Sequence, residues 1–295
     1  MDEAGSTVQD PTFWQPLALG QIAAHGLAPI PAKIQSFVGA QWGHVHGFAL
    51  PASSKGLPVD PGPPPFGDPS AASYKNAAVA VIRTTSRGGT AVVSTSPADW
   101  NARASALAHV SLERDVTLYL ALNGALNDAA VATYGVKRTY QSPRPISMIR
   151  YLAFQGQSSD PKAPSYNADG LPLVPGLIEL VTKQSSAAGK PHEALAADIG
   201  QVAVLSQGRW VLGARWTPPA ATPASPGWVA EGSAFAAAAG DVLTALTGRS
   251  FEREVALLGR AGVAAGIETR ADEESGRRLG TAVGRRALRD SLARR

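Results

Sequence analysis

Residues 125–150 read ALNDAAVATYGVKRTYQSPRPISMIR, and they carry both a fold signal and a chemical one. The first half is apolar on nearly every side, broken by Asn127 and Asp128, which is the pattern of a helix in the centre of a bundle. The second half sets Lys137 and Arg144 in a Lys-x6-Arg-Pro spacing that ends at Pro145. A guanidinium offers a planar fork of donors and an ammonium a compact point charge. Held together, they suit a tetrahedral oxyanion such as phosphate or vanadate. Pro143 and Pro145 mark the turn that carries the pair, and a short helix is expected to start at Ile146.

Outward from this stretch the chain reads as helical. Ser96-Pro97 with Asp99 forms an N-cap, first-position and first-turn signal. The helix it starts, with Trp100, Ala104 and Leu107 on one face, is expected to run on into the apolar segment 116–122. Further helices are expected over 230–246, 251–267 and 271–292. In the last of these Leu279, Val283 and Leu288 face inward, and Arg277, Arg278, Arg285 and Arg286 face mostly outward. Shorter helices are expected over 177–183 and 192–199, a strand in RWVLGARWT (209–217), and a long polar loop over 156–176. Before residue 96 the sequence is loop-rich. PASSKGLPVDPGPPPFGDPS (51–70) is crowded with Pro and Gly, which forbids a regular helix there, and QWGHVHGFALP (41–51) suggests a short strand or extended arm. The expected division is therefore an N-terminal arm, 1–95, packed on an all-α helical domain, 96–295.

Composition excludes several classes. A chain of 295 residues with 44% hydrophobic content can bury a large core, and the absence of cysteine removes disulfides, thiolate nucleophiles and thiolate metal ligands. Net charge is only +4, from 27 Lys+Arg against 23 Asp+Glu, and no basic stripe is interleaved with aromatic residues, so no nucleic-acid partner is expected. No apolar run approaches the roughly 20 residues of a membrane span, and the opening MDEAGSTVQD lacks the apolar core of a secretory signal. A soluble protein is expected; its compartment stays open.

The run Leu122, Asn127, Asp128, Ala129, Ala130, then Lys137, Arg144, Pro145 and 146–150, resembles the first active-site motif of the vanadium-dependent haloperoxidase and type 2 phosphatidic acid phosphatase superfamily. The resemblance extends over most of the chain and points to the soluble bacterial haloperoxidase-like branch. It implies a haloperoxidase/acid-phosphatase-like helical bundle with long Pro/Gly-rich loops, in which three segments surround an oxyanion. The second should supply Ser-Gly-His at a helix start, but after Trp228-Val229 this chain reads Ala230-Glu231-Gly232. The third should supply Ser-Arg-x5-His. Its tail, Asp-x-x-x-Gly-Arg-x-x-Gly, is matched by Asp272, Gly276, Arg277 and Gly280, and counting back puts Ala261 and Gly262 at Ser-Arg and Glu268 at the histidine.

The resemblance thus implies an ancestral pocket of Lys137, Arg144, Ala230, Glu231, Gly232, Gly262 and Glu268, with two cations facing two carboxylates. Opposite charges at short range favour pairing, and like charges disfavour a bound anion. Glu231 and Glu268 are expected to act as internal counter-ions, with no cofactor and no metal. The leading expectation is a catalytically degenerate binding, structural or partner subunit. The alternative is an active enzyme with a rearranged pocket that uses vanadate or hydrolyses phosphate esters. A third reading makes Glu231 and Glu268 an acid and base pair across a cleft. Family members carry helices upstream of the region matched here, so another chain or a second copy is expected to cover an apolar flank. His44-x-His46 could place two imidazoles on one face of a strand, but no third ligand is in sight; His25, His109 and His192 read as structural.

Overall fold

The computed structural model describes residues 8, 10–19, 33–50, 60–88, 96–108 and 111–294. Among them, the helices are α1 (Ala72–Thr85), α2 (Pro97–Ser105), α3 (Leu112–Tyr140), α4 (Pro145–Gln155), α5 (Glu231–Thr247), α6 (Glu252–Gly259), α7 (Ala261–Ala264) and α8 (Arg270–Ala293). A two-residue pair joins β1 (Ala18–Leu19) to β2 (Lys33–Ile34). A small antiparallel sheet orders β3 (Ile178–Leu180), β4 (Val202–Ser206) and β5 (Arg209–Leu212) consecutively. The expected all-α bundle is the architecture observed, with the sheet as a minor appendage.

The bundle centre is α3, α5 and α8, packed mutually. Its core joins Leu122, Ala125 and Ala129 of α3 to Val242 and Leu243 of α5 and to Leu279 and Val283 of α8. Along the α5–α8 seam, Gly276, Gly280 and Gly284 recur every four residues and so share one face. A Cβ on any of them would collide with backbone of Ala230, Ala234 or Ala238. These glycines are required by close approach, which accounts as packing for Gly276 and Gly280 of the third motif's tail. A second core lies beside the bundle, where Tyr74 and Ile82 of α1 meet Met148, Ile149 and Leu152 of α4 together with Val204 and Trp216.

Polar groups fasten the N-terminal segment across the bundle. Asp128, fully buried on α3, accepts hydrogen bonds from the backbone N–H of Phe48 (2.5 Å) and Ala49 (2.9 Å), and Arg286 donates to the Ala49 carbonyl (2.6 Å). Arg286 is therefore half-buried, while Arg277, Arg278 and Arg285 remain exposed as expected. The loop after α4 is held by the buried Gln157 amide, which accepts from Ser159 and Asp160 N–H (2.8 Å each) and donates to the Asp160 carbonyl.

Several local expectations are corrected. The Ser96 capping box is present, with Asp99 completing it, but the helix stops at Ser105, and α3 starts afresh behind its own cap, where Ser111 accepts from Arg114 N–H. Segment 177–183 contains strand β3, because pairing of Ile178, Glu179 and Leu180 with Val204, Ala203 and Val202 outweighs local helical pattern. The strand in 209–217 ends at Leu212 and gives way to a 3-10 turn, Gly213–Arg215. The region 192–199 holds only the 3-10 turn Glu193–Leu195, residues 40–44 form another in place of a strand, and 251–267 is split into α6 and α7. Helix α1 lies within the segment read as loop-rich.

Candidate functional site

Lys137 sits in the last turns of α3 and Arg144 at the N-cap of α4, with Pro145 at the first helical position, where its missing N–H costs nothing. Both side chains turn inward and are buried, Lys137 being 0% and Arg144 1% exposed. Lys137 Nζ donates to the carbonyls of Pro226 (2.5 Å) and Gly227 (3.3 Å). Arg144 donates through Nε to Ser225 O (2.8 Å), through Nη1 to Ile267 O (3.0 Å) and Glu268 Oε1 (2.7 Å), and through Nη2 to Ser225 Oγ (3.0 Å). The structure thus brings the two predicted cations into one buried cluster and engages both with the protein itself.

The predicted carboxylates behave differently from each other. Glu268 forms the expected ion pair with Arg144. Gly262 makes this possible: a Cβ there would lie 2.5 Å from Glu268 Cγ, and its carbonyl accepts the N–H of Ile267 and Glu268. Glu231 is in no salt bridge with Lys137 or Arg144; its charge acts instead on Tyr134, close by on α3. Ala230 is the N-cap of α5 and offers no side-chain cap, so Glu231 in the first turn supplies the negative charge that a helix N-terminus favours. Ala230, Glu231, Gly232, Gly262 and Glu268 all line one cavity of about 530 Å3. Lys137 and Arg144 do not line it among the described residues.

Two groups outside the expected set complete the cluster. Asp272, fully buried, receives Thr269 N–H and Oγ at its Oδ2 (2.7 Å each) in the capping box of α8, while its Oδ1 has no partner. Tyr134, one turn before Lys137, stacks with Phe37 of the N-terminal segment at 6.4 Å. Tyr134 could have been found from its i,i+3 relation to Lys137. The carbonyls of 225–227 could not, since any residue supplies a carbonyl and a Pro-rich linker gives no side-chain signal.

Burial controls the electrostatics. It pushes the Lys137 ammonium down to about 8, aided by the Arg144 charge and resisted by Glu268, Glu231 and Asp272. It pushes the Glu268 carboxyl up to about 7 against the pull of Arg144 and Lys137. Asp272 is raised by burial as well, and Tyr134 is raised by burial and by Glu231.

The histidines stand apart from this cluster. His44 and His46 are exposed; His25 and His109 lie outside the described residues. His192 is buried, with Nδ1 2.9 Å from Ser185 Oγ, Nε2 3.5 Å from Glu179 and its ring edge-on to Trp210, a structural role in the small sheet region. No group of three or more metal-ligating side chains occurs among the described residues.

Residues 117–171, which include Lys137 and Arg144, match the family model of the VCPO second helical-bundle domain. Solved structures similar to this chain include a holo-type bacterial vanadium-dependent chloroperoxidase, with TM-score 0.66 and 12% identity over 98% of this chain and 63% of that one. The apo-type bacterial enzyme gives TM-score 0.64 and 11% identity over 97% and 63%, and a bacterial vanadium-dependent iodoperoxidase gives 0.56 and 14% over 96% and 62%. This chain therefore spans less than two thirds of the length of these structures. No curated protein matches it in sequence. No helix among the described residues is long and apolar enough to cross a membrane. The chain thus has the fold of these peroxidases, and its segment 117–171, which carries Lys137 and Arg144, is similar in sequence to the VCPO second helical-bundle domain.

Proposed function

We propose that this chain is a catalytically degenerate haloperoxidase-like protein that acts by binding, as a structural or partner subunit. The observation that carries this reading is the engagement of the ancestral cations: Arg144 pairs with Glu268 at 2.7 Å, and Lys137 is held by two backbone carbonyls. The residues present do not fit vanadate. Among the described residues the cavity wall holds two carboxylates and no imidazole, guanidinium or ammonium, so a multiply charged anion would meet like charge with no cation to answer it. The fold and the matched segment support common ancestry with the peroxidases; the replaced residues support the loss of their chemistry.

The test is reconstitution with orthovanadate followed by bromide and iodide oxidation with hydrogen peroxide, and phosphate ester hydrolysis by the untreated protein. Neither activity is expected above a Lys137→Ala control. Turnover that disappears in that variant would establish the alternative, an active enzyme with a rearranged pocket. The exposed face of α3, where Leu112, Val116 and Leu120 are spaced about one turn apart, supports a covering partner or second copy on that flank. Sedimentation that finds only monomer at high concentration would remove the second-copy form of that expectation.

A further inference from the structure

A second chemical constellation lies in the small sheet region, outside the Lys137 cluster. His192 is 0% exposed, and its ring is fixed edge-on to Trp210 of β5. The contacts that give it a structural role also sort its two nitrogens. Nε2 lies 3.5 Å from Glu179 Oε2 and has no hydrogen-bond partner, while Nδ1 is 2.9 Å from Ser185 Oγ. A carboxylate on the Nε2 side favours the tautomer with its proton on Nε2. Nδ1 then accepts the proton of the Ser185 hydroxyl. Burial holds His192 below the usual histidine range against the pull of Glu179, so the ring is neutral at pH 7 and able to take a proton.

Each member is held by its own piece of backbone. Glu179 is the middle residue of β3, and its Oε1 accepts Gly176 N–H (2.7 Å), which leaves Oε2 for the imidazole. Ser185 lies in the turn after β3, where its carbonyl accepts His192 N–H (2.9 Å) and its own N–H donates to Thr182 Oγ1 (3.0 Å). The other acceptor within reach of its hydroxyl, the Thr182 carbonyl, is farther away at 3.3 Å. Thr182 N–H (2.9 Å) and Oγ1 (3.0 Å) donate to Ser185 Oγ and so favour negative charge on it.

A hydroxyl, an acceptor imidazole within hydrogen-bond reach and an acid that orients the ring are the parts of an activated serine. The 3.5 Å gap to Glu179 is of the kind that tightens when substrate is bound. Ser185 is half-buried, and Lys183, Gln184 and Ala187 beside it are exposed, so a small reactant can approach from solvent. The N–H groups of Gln184 and Ala187 make no hydrogen bond among the described residues and are donors in the same turn for a carbonyl oxygen.

We propose that Ser185, His192 and Glu179 form a serine nucleophile site that cleaves small, activated carboxylic esters, with Ser185 attacking, His192 moving the proton and Glu179 positioning the ring. Ser185 Oγ bonds to the ester carbonyl carbon as its proton passes to His192 Nδ1. The bond from that carbon to the leaving oxygen breaks, and the proton follows the leaving oxygen. Water then attacks the acyl group, gives its proton to His192 and releases the acid, and the proton returns to Ser185 Oγ. This activity is separate from the reading of the Lys137 cluster, which concerns other residues.

The test uses the full chain with 4-nitrophenyl acetate and, separately, with a fluorophosphonate that phosphonylates activated serines. Ester hydrolysis is expected, together with mass addition on the peptide that contains Ser185. Ser185→Ala should abolish the label and lower the rate at least about tenfold, and His192→Gln should do the same with an unchanged circular dichroism spectrum. Glu179→Gln should lower kcat and move the acid limb of the rate profile to lower pH, because a charge that raises His192 is gone. No label, a label on another residue, or hydrolysis at an equal rate in Ser185→Ala would each overturn the proposal, and an unmoved acid limb would overturn the role of Glu179. If His192→Gln unfolds, labelling of the unaltered chain still decides, since an unactivated serine does not react with the fluorophosphonate.

Discussion

The α5–α8 seam and the charged cluster at its N-terminal end use the same two helices in opposite ways. Along the seam, Gly276, Gly280 and Gly284 let backbone rest on the backbone of Ala230, Ala234 and Ala238, with no side chain between. At the cluster, Arg144, Lys137, Glu268 and Asp272 are buried together and hold position through charge and hydrogen bonds. The seam tolerates no added atoms, while the cluster is held by pairing between side chains that reach it from α3, α4 and the start of α8. Shape is strict where backbones touch; chemistry is exchangeable where charge can be balanced by another partner. Of the third motif's tail, Gly276 and Gly280 belong to the seam, while Asp272 caps α8 within the cluster.

The largest expected effect is at the cluster. Arg144→Met deletes four donor contacts and leaves Glu268 and the Ser225 and Ile267 carbonyls without them, so urea unfolding should show a loss of about 3–5 kcal/mol. A loss below about 1 kcal/mol, the range of an exposed pair, would mean that charge does not organise this end of the bundle.

At the seam, Gly280→Ala should cost about 1–3 kcal/mol, because the added methyl meets the Ala234 carbonyl and the helices must separate. Gly262→Ala should cost less, since its methyl meets the movable Glu268 side chain. A reversed order would erase the distinction between backbone contact and charge contact.

Titration should mark the cluster and leave the seam silent. Glu268 is raised in the folded state from 4.5 to about 7, so its contribution is complete below the unfolded value and is lost as pH rises through about 7. Lys137 is lowered from 10.5 to about 8, so its contribution is present above the unfolded value and is lost as pH falls through about 8. Stability should therefore be lowest between about 7 and 8. Glu268→Gln should flatten the acid limb, whereas Gly280→Ala should shift the whole curve without changing its shape. Unfolding midpoints measured across pH decide this.

The smallest change expected is for Glu231→Gln. Glu231 is half-buried and in no salt bridge, so stability should move within about 0.5 kcal/mol. A larger loss would show that Glu231 holds the cluster together.

Much of this was legible in the sequence. The Ser96-Pro97-Asp99 cap, the apolar α3 and the Lys137 and Arg144 pair could be read because each depends on local spacing. The break between α2 and α3 could not, since apolar residues at 116–122 continue the pattern across it. Strand β3 was misread because its state is decided by Val202, Ala203 and Val204, more than twenty residues away. The pairing of Glu268 with Arg144 followed from the resemblance, which implies that Glu268 lies in the pocket, and from counting the charges there. The separate fate of Glu231 did not, because it turns on Tyr134, a residue with no formal charge.

Position 262 and position 268 compete for one volume. Glu268 Cγ occupies the space that the first carbon of any side chain at 262 would need, so the two sites cannot be altered independently. A longer residue at 262 therefore displaces the Glu268 side chain, and the displacement strains its ion pair with Arg144. The pair between Arg144 and Glu268 thus depends on the absence of a side chain at a third position.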